Sequence, residues 1–157
     1  MSYYDTAEIC LNGHLISSSF EDYPSEQAYC SKCGSKIITN CPNCNAILRG
    51  AFNDPYYIKT VEVTAYCYNC GKPYPWTKAT IETAEAIIRE DELLTEEQIQ
   101  QFCECIPDLI SETKKTNIAL IRYKKLVDKA ASVTGPALYD VLKDIAPAVI
   151  IKALFGI

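Results

Sequence analysis

Apolar positions along the chain follow two periods. Up to about residue 76 they come in short β-rich runs set among turn residues. Beyond it they recur every three or four residues, the spacing of a helix packed on one face. The rigid, aromatic segment Lys72-Pro73-Tyr74-Pro75-Trp76 marks the change-over, so two parts are predicted, residues 1–76 and residues 77–157. Tyr74 and Trp76 read most simply as ordinary core aromatics. In the first part, Tyr57-Ile58-Lys59 and Val61-Glu62-Val63-Thr64-Ala65-Tyr66 read as hairpin strands within Asn45–Tyr66, near the turn residues Asn53-Asp54-Pro55. Lys36-Ile37-Ile38-Thr39 reads as one short connecting strand.

The second part predicts about four helices. The first covers about residues 78–89, with Ile81, Ala84 and Ile88 on one face. Thr95-Glu96-Glu97-Gln98 is a capping box opening a second helix, whose Ile99, Phe102, Cys103 and Ile106 form one stripe. Pro107 is expected to disturb or end it. A third helix, about residues 116–132, is expected to bury Ile118, Ile121, Leu126, Val127 and Ala130. Thr134-Gly135-Pro136 breaks the chain before a fourth, which buries Leu138, Val141, Leu142, Ile145 and Val149. The apolar stretch Pro147–Ile157 reads as core packing or a contact with a second copy rather than a membrane anchor, because it carries one lysine and no basic face.

Cysteine spacing changes this picture most. Cys30-x-x-Cys33, Cys41-x-x-Cys44 and Cys67-x-x-Cys70 are tight pairs, and Cys10 with His14 encloses the turn dipeptide Asn12-Gly13. Structural zinc takes four ligands tetrahedrally from thiolate and imidazole. Seven cysteines and one histidine therefore fill two closed sites. Two residues between cysteines let one turn aim both sulfurs, and its N–H groups, at a single ion. Such a turn calls for positive φ, and Gly34, Asn45 and Gly71 stand directly after the second cysteine of each pair. The four pairs combine sequentially, nested or as a cross-brace. The sequential order is favoured, since the intervening segments then have room for β-hairpins. Cys103 reads as a small core residue, Cys105 falls off the apolar stripe, and neither has a spaced partner. The fold class expected is small α+β: a double zinc ribbon with short β-hairpins, then a helical bundle.

Few aliphatics occur in the first 76 residues outside the strands, so metal is expected to supply stability, roughly 10–16 kcal/mol per structural zinc site. Disulfides would suit a secreted chain, but Met1–Glu8 is polar and acidic with no apolar run, and the thiolates imply a reducing, cytoplasmic setting. No run reaches the ~20 apolar residues of a membrane-spanning helix. The formal net charge is −5, shared as −2 over residues 1–76 and −3 over residues 77–157. Zinc bound to thiolates takes it to about −8. That disfavours nucleic acid, which wants a basic footprint.

No catalytic constellation is visible. The one histidine is spoken for, closed sites leave no coordination position open, and there is no phosphate-binding glycine loop or nucleophile elbow. Glu90-Asp91-Glu92 and Glu96-Glu97 read as solvated faces and helix starts. Lys114, Lys115, Arg122, Lys124, Lys125 and Lys129 form a basic stretch in which Arg122, Lys125 and Lys129 share a helix face, most simply a solvated one. The expected function is a non-catalytic adaptor that binds an unidentified protein or itself. The alternative is a nucleic-acid-associated regulator using that basic face.

Cys10-Leu11-Asn12-Gly13-His14, Tyr29–Gly34, Cys41–Cys44 with Ile47–Gly50, and Cys67–Gly71 followed by Pro75-Trp76-Thr77 resemble an uncharacterised bacterial family, domain of unknown function 2321. The resemblance extends through Thr116, Lys124-Lys125 and Asp140–Ile145. It implies a bacterial, intracellular zinc-ribbon protein and no particular activity.

Overall fold

A computed structural model describes residues 3–56 and 61–156. The chain divides into two compact units, Met1–Lys78 and Ala79–Ile157, with a small α+β architecture.

The described residues of the first unit form two small sheets. β1 (Tyr3–Thr6) pairs antiparallel with β5 (Arg49–Asn53), with Tyr4 opposite Phe52 and an irregularity between Tyr4 and Thr6. β2 (Glu8–Cys10) is the centre of the second sheet, between β3 (Leu15–Ser17) and β4 (Ile37–Ile38). Only Ala7 separates β1 from β2, so one run of chain serves both sheets and residues 5–10 are all buried. The Ala7 N–H donates to the Leu48 carbonyl at 2.7 Å. Gly50 is required where the strands meet: a Cβ there would lie 2.1 Å from the Ser18 carbonyl oxygen and 3.1 Å from the Ala7 nitrogen. Burying Asp5 and Glu8 is tolerable because each is hydrogen-bonded: Asp5 accepts from Asn53, and Glu8 accepts from the N–H and hydroxyl of Ser25. Glu21 reaches back to accept from the N–H and hydroxyl of Thr6, tying the 18–26 loop to β1.

β4 falls inside the expected 36–39 strand. The expected hairpin is described only in its second strand. Tyr57-Ile58-Lys59 lies outside the described residues, and residues 61–66 contain no strand, only an isolated bridge from Tyr66 to Pro73. The partner of β5 is instead the distant β1. Trp76 is buried within this unit: its indole N–H donates to the Thr64 carbonyl, and its ring stacks on Tyr74 at 4.6 Å.

Among the described residues five helices follow, α1 (Pro75–Arg89), α2 (Glu96–Ile110), α3 (Thr116–Val127), α4 (Thr134–Leu142) and α5 (Ala148–Phe155). The count exceeds four because residues 143–147 break the last apolar segment, with Pro147 at the N-cap of α5. The core of the second unit contains Ile88, Phe102, Ile106, Leu109, Tyr123, Leu126, Leu138 and Leu142, joined by Ile150 and Ile151 from α5. Phe155 meets Tyr123 and Tyr139 edge to face, so the apolar tail contributes to this core, although Val149 points outward.

Thr95 and Gln98 form the reciprocal capping box. Pro107 does not end α2. It sits in the last turn, where a missing N–H costs one bond, and the buried Leu109 and Ile110 hold the chain helical beyond it. α3 ends five residues short of expectation and turns a different face inward: Thr116, Ala119, Tyr123 and Leu126 are buried, whereas Ile118 and Ile121 are about half exposed. The reason is the large Tyr123 ring, which packs against Phe102 and orients the helix. Asp91 also departs from its reading as a solvated residue. It is 7 % exposed; one carboxylate oxygen accepts from the Leu93 and Leu94 N–H groups, and the other from the Ala131 N–H and the Thr134 hydroxyl.

Candidate metal centres

Each cysteine pair is positioned by its own backbone loop, and the three CxxC loops are built alike. The N–H of Cys30, Cys41 and Cys67 donates to the carbonyl of Ser35, Ala46 and Lys72. Gly34, Asn45 and Gly71 donate back to the carbonyl of the first cysteine at 2.8–2.9 Å. Those three residues have φ of 73°, 64° and 72°, the left-handed conformation that glycine and asparagine adopt at least cost. Isolated bridges Tyr29–Lys36, Asn40–Ile47 and Tyr66–Pro73 close the three loops at the same relative place. The Cys10–His14 loop is a variant: Gly13, at φ 89°, donates to Cys10, and the His14 carbonyl accepts from Cys10. A side chain on Gly13 would also press on Trp76, whose Cβ is 3.0 Å from where its Cβ would lie.

The loops converge in sequential order. Cys10, His14, Cys30 and Cys33 form one cluster and Cys41, Cys44, Cys67 and Cys70 the other, the four donor atoms of each lying within 4.8 Å of one another. In the first, the Cys10 sulfur is 3.7 Å from that of Cys33, and His14 Nδ1 is 3.4 Å and 3.6 Å from the sulfurs of Cys10 and Cys30. In the second, Cys41 to Cys70 is 3.9 Å and Cys44 to Cys67 is 3.7 Å. A tetrahedral zinc with Zn–S of about 2.3 Å and Zn–N of about 2.0–2.1 Å places its sulfurs about 3.8 Å apart and sulfur from nitrogen about 3.5–3.6 Å. The donor sets therefore fit a tetrahedral ion of that size, in type, number and spacing. All nine cysteines are free thiols.

Electrostatics prepare the sulfurs for a cation. The Ser35 N–H, the Asn12 amide and the Ser35 hydroxyl bring the Cys33 thiol down to about 5. Burial opposes ionisation of Cys67, but the Cys70 and Asn69 N–H groups and the Tyr74 hydroxyl prevail and lower it to about 6. The Lys72 N–H lowers Cys70. Burial raises Cys10 and Cys41, so each cluster combines thiols that ionise early with thiols that need a cation beside them. The sequence carries little sign that Asn12, Ser35 and Tyr74 support the sulfurs, beyond the position of Asn12 inside one loop and Ser35 directly after another. Asn12 also donates to the Ser35 hydroxyl at 2.9 Å, fixing both about Cys33.

Cys103 and Cys105 join neither cluster. Both are buried in α2, Cys105 included although it falls off the sequence stripe, and burial pushes its thiol up to about 12. Among the described residues no other group of metal-ligating side chains assembles. No helix among them is long and apolar enough to cross a membrane.

The chain belongs to a family described as an uncharacterized protein conserved in bacteria (DUF2321), whose profile matches residues 3–154. No curated protein and no solved structure matches it.

Proposed function

For a member of that uncharacterised bacterial family, we propose the role of a zinc-stabilised, non-catalytic adaptor that acts in the cytoplasm and binds another protein, or a second copy of itself, through its ribbon surface. The observation that carries this reading is the pair of closed four-donor clusters. All eight donors are committed to them, so no coordination position is left for substrate, and catalytic zinc needs one. Tyr3, Tyr4, Tyr23, Tyr29, Tyr56 and Tyr68 are exposed on the same unit. Tyrosine offers large, rigid, amphipathic contact area and is enriched at protein interfaces. Thiolate ligands also require a reducing compartment.

A nucleic-acid-associated regulator is the second reading. It is favoured by Arg122 and Lys125 on α3 and by Lys129 just beyond its end, all exposed and without an ion pair among the described residues. The net charge of −5 opposes it.

Photo-crosslinking residues placed at Tyr23, Tyr29 and, for comparison, Lys125 separate the two in a bacterial host. Adducts to one recurring protein, or to a second copy, from the tyrosine positions alone support the adaptor. Nucleic-acid adducts from Lys125 support the regulator, and absence of tyrosine adducts sinks the adaptor.

A further inference from the structure

Beside the second cysteine cluster lies a cavity of about 330 Å³ whose walls include Tyr4, Arg49, Glu62, Tyr66, Tyr68 and Tyr74. Its size is at the low end for ligand sites, enough for a small terminal group. Arg49 is its most distinctive member. The guanidinium carbon lies 3.7 Å from the centre of the Tyr68 ring and 4.6 Å from that of Tyr4. Two elements far apart in sequence hold this clamp. Tyr4 comes from β1, and Tyr68 from the loop between Cys67 and Cys70, whose fold is set by the cluster it serves. The clamp removes much of the rotamer freedom that an exposed arginine otherwise loses on binding.

The guanidinium carbon is held over both rings, and its N–H groups make no hydrogen bond among the described residues. Among the described residues Arg49 forms no ion pair. A charge held rigid, with its hydrogen-bonding fork unspent, is preorganised for two parallel oxygens. Phosphate and carboxylate both offer them. The lining decides between them, because Glu62 contributes a carboxylate that has no hydrogen bond or ion pair among the described residues. With one charge of each sign, the cavity gains little from a dianion. It matches a single carboxylate followed by N–H donors, which is the chemistry of a peptide C-terminus. The tyrosine walls suit an apolar or aromatic last side chain.

We propose that Arg49, clamped between Tyr4 and Tyr68, is a recognition site for the C-terminal carboxylate of a partner protein. This deepens the adaptor reading and rests on it, by naming the group on the partner that is bound. The two fail separately, since crosslinking from Tyr23 and Tyr29 does not require Arg49.

The test is nitrogen-15 NMR of the arginine side-chain N–H signals in the full metallated chain, titrated with acetyl-leucyl-tyrosine. The Arg49 signal is expected upfield of other arginines, from the ring currents of its two neighbours, and moves on addition of the free acid. The C-terminal amide of the same dipeptide leaves it in place. Arg49→Lys keeps the charge, loses the fork and weakens binding about tenfold or more. Tyr68→Leu has the same effect by removing the clamp, whereas Tyr68→Phe retains binding; unchanged metal content shows that each variant is folded. Equal response to acid and amide overturns the proposal, as does no response to any probe. So does a stronger response to inorganic phosphate, to a single-stranded oligonucleotide, or to acetyl-tyrosyl-glutamate amide, whose only carboxylate is on a side chain.

Discussion

The ribbon unit and the helical unit bury different things. In residues 3–56 and 61–78 the buried set mixes Cys10, Cys30, Cys41 and Cys67 and the hydrogen-bonded acids Asp5 and Glu8 with a short apolar list, Ala7, Ile9, Leu48, Tyr74 and Trp76. In residues 79–156 they are leucines, isoleucines, Phe102 and Tyr123, and the one buried carboxylate, Asp91, is fully bonded. One unit gathers its loops around two four-donor clusters that fit an ion, and the other is held by apolar surface. The contrast explains why backbone geometry is so uniform in the first. Three loops repeat the same hydrogen bonds and the same positive φ because the four donors of each cluster must converge, whereas a helix face tolerates some variety in what fills it.

The largest effect that separates the units is metal removal. Stripping the chain with a strong chelator is expected to collapse the NMR dispersion of the ribbon residues, consistent with roughly 10–16 kcal/mol of folding energy per structural site, while far-UV circular dichroism of the helices largely persists. A ribbon that keeps its dispersion without metal breaks the comparison. Next in size is Gly50→Ala. It drives a methyl group into the Ser18 carbonyl and is expected to cost the ribbon unit about 3 kcal/mol in denaturant unfolding followed by ribbon signals, without moving the helical transition.

In the helical unit, Asp91→Ala leaves the Leu93, Leu94 and Ala131 N–H groups and the Thr134 hydroxyl unpartnered and is expected to cost about 3 kcal/mol. Asp91 also predicts a pH dependence. Burial works against its ionisation, but the Thr134 hydroxyl and the three N–H groups outweigh it and hold the carboxyl below its ordinary value. A carboxylate depressed on folding stabilises fully above its unfolded pKa, about 3.9, and that stabilisation is lost as pH falls through the lower folded value. Acid unfolding of the helices should therefore lose this component in Asp91→Asn; an unchanged profile would contradict it. The smallest effect is opposite in sign. The Tyr123 hydroxyl is buried and has no hydrogen-bond partner among the described residues, so Tyr123→Phe is expected to leave the helical unit as stable or raise its stability by about 1 kcal/mol, read from its thermal midpoint.

How much of this was legible beforehand depended on how local the cause was. The cysteine loops were, since spacing and the residue after each pair are local facts, and so was the capping box at Thr95. The pairing of β1 with β5 was not. Its two strands lie some forty residues apart, with Tyr3 opposite Asn53, and nothing in either segment names the other. The buried face of α3 is not legible locally, because Ile118 and Ile121 look more apolar than Tyr123 and only the packed Phe102 shows which one is wanted. Asp91 resembled its exposed neighbours Glu90 and Glu92 until the Ala131–Thr134 turn supplied its partners.

The central claim is that eight donors hold two structural zinc ions. Native mass spectrometry of the purified chain, with His14→Ala and Cys70→Ser alongside, tests it most directly. Two zinc ions per chain are expected, with His14→Ala perturbing the first site alone and Cys70→Ser the second alone. One ion or none, with cysteines that titrate as ordinary free thiols, would contradict it.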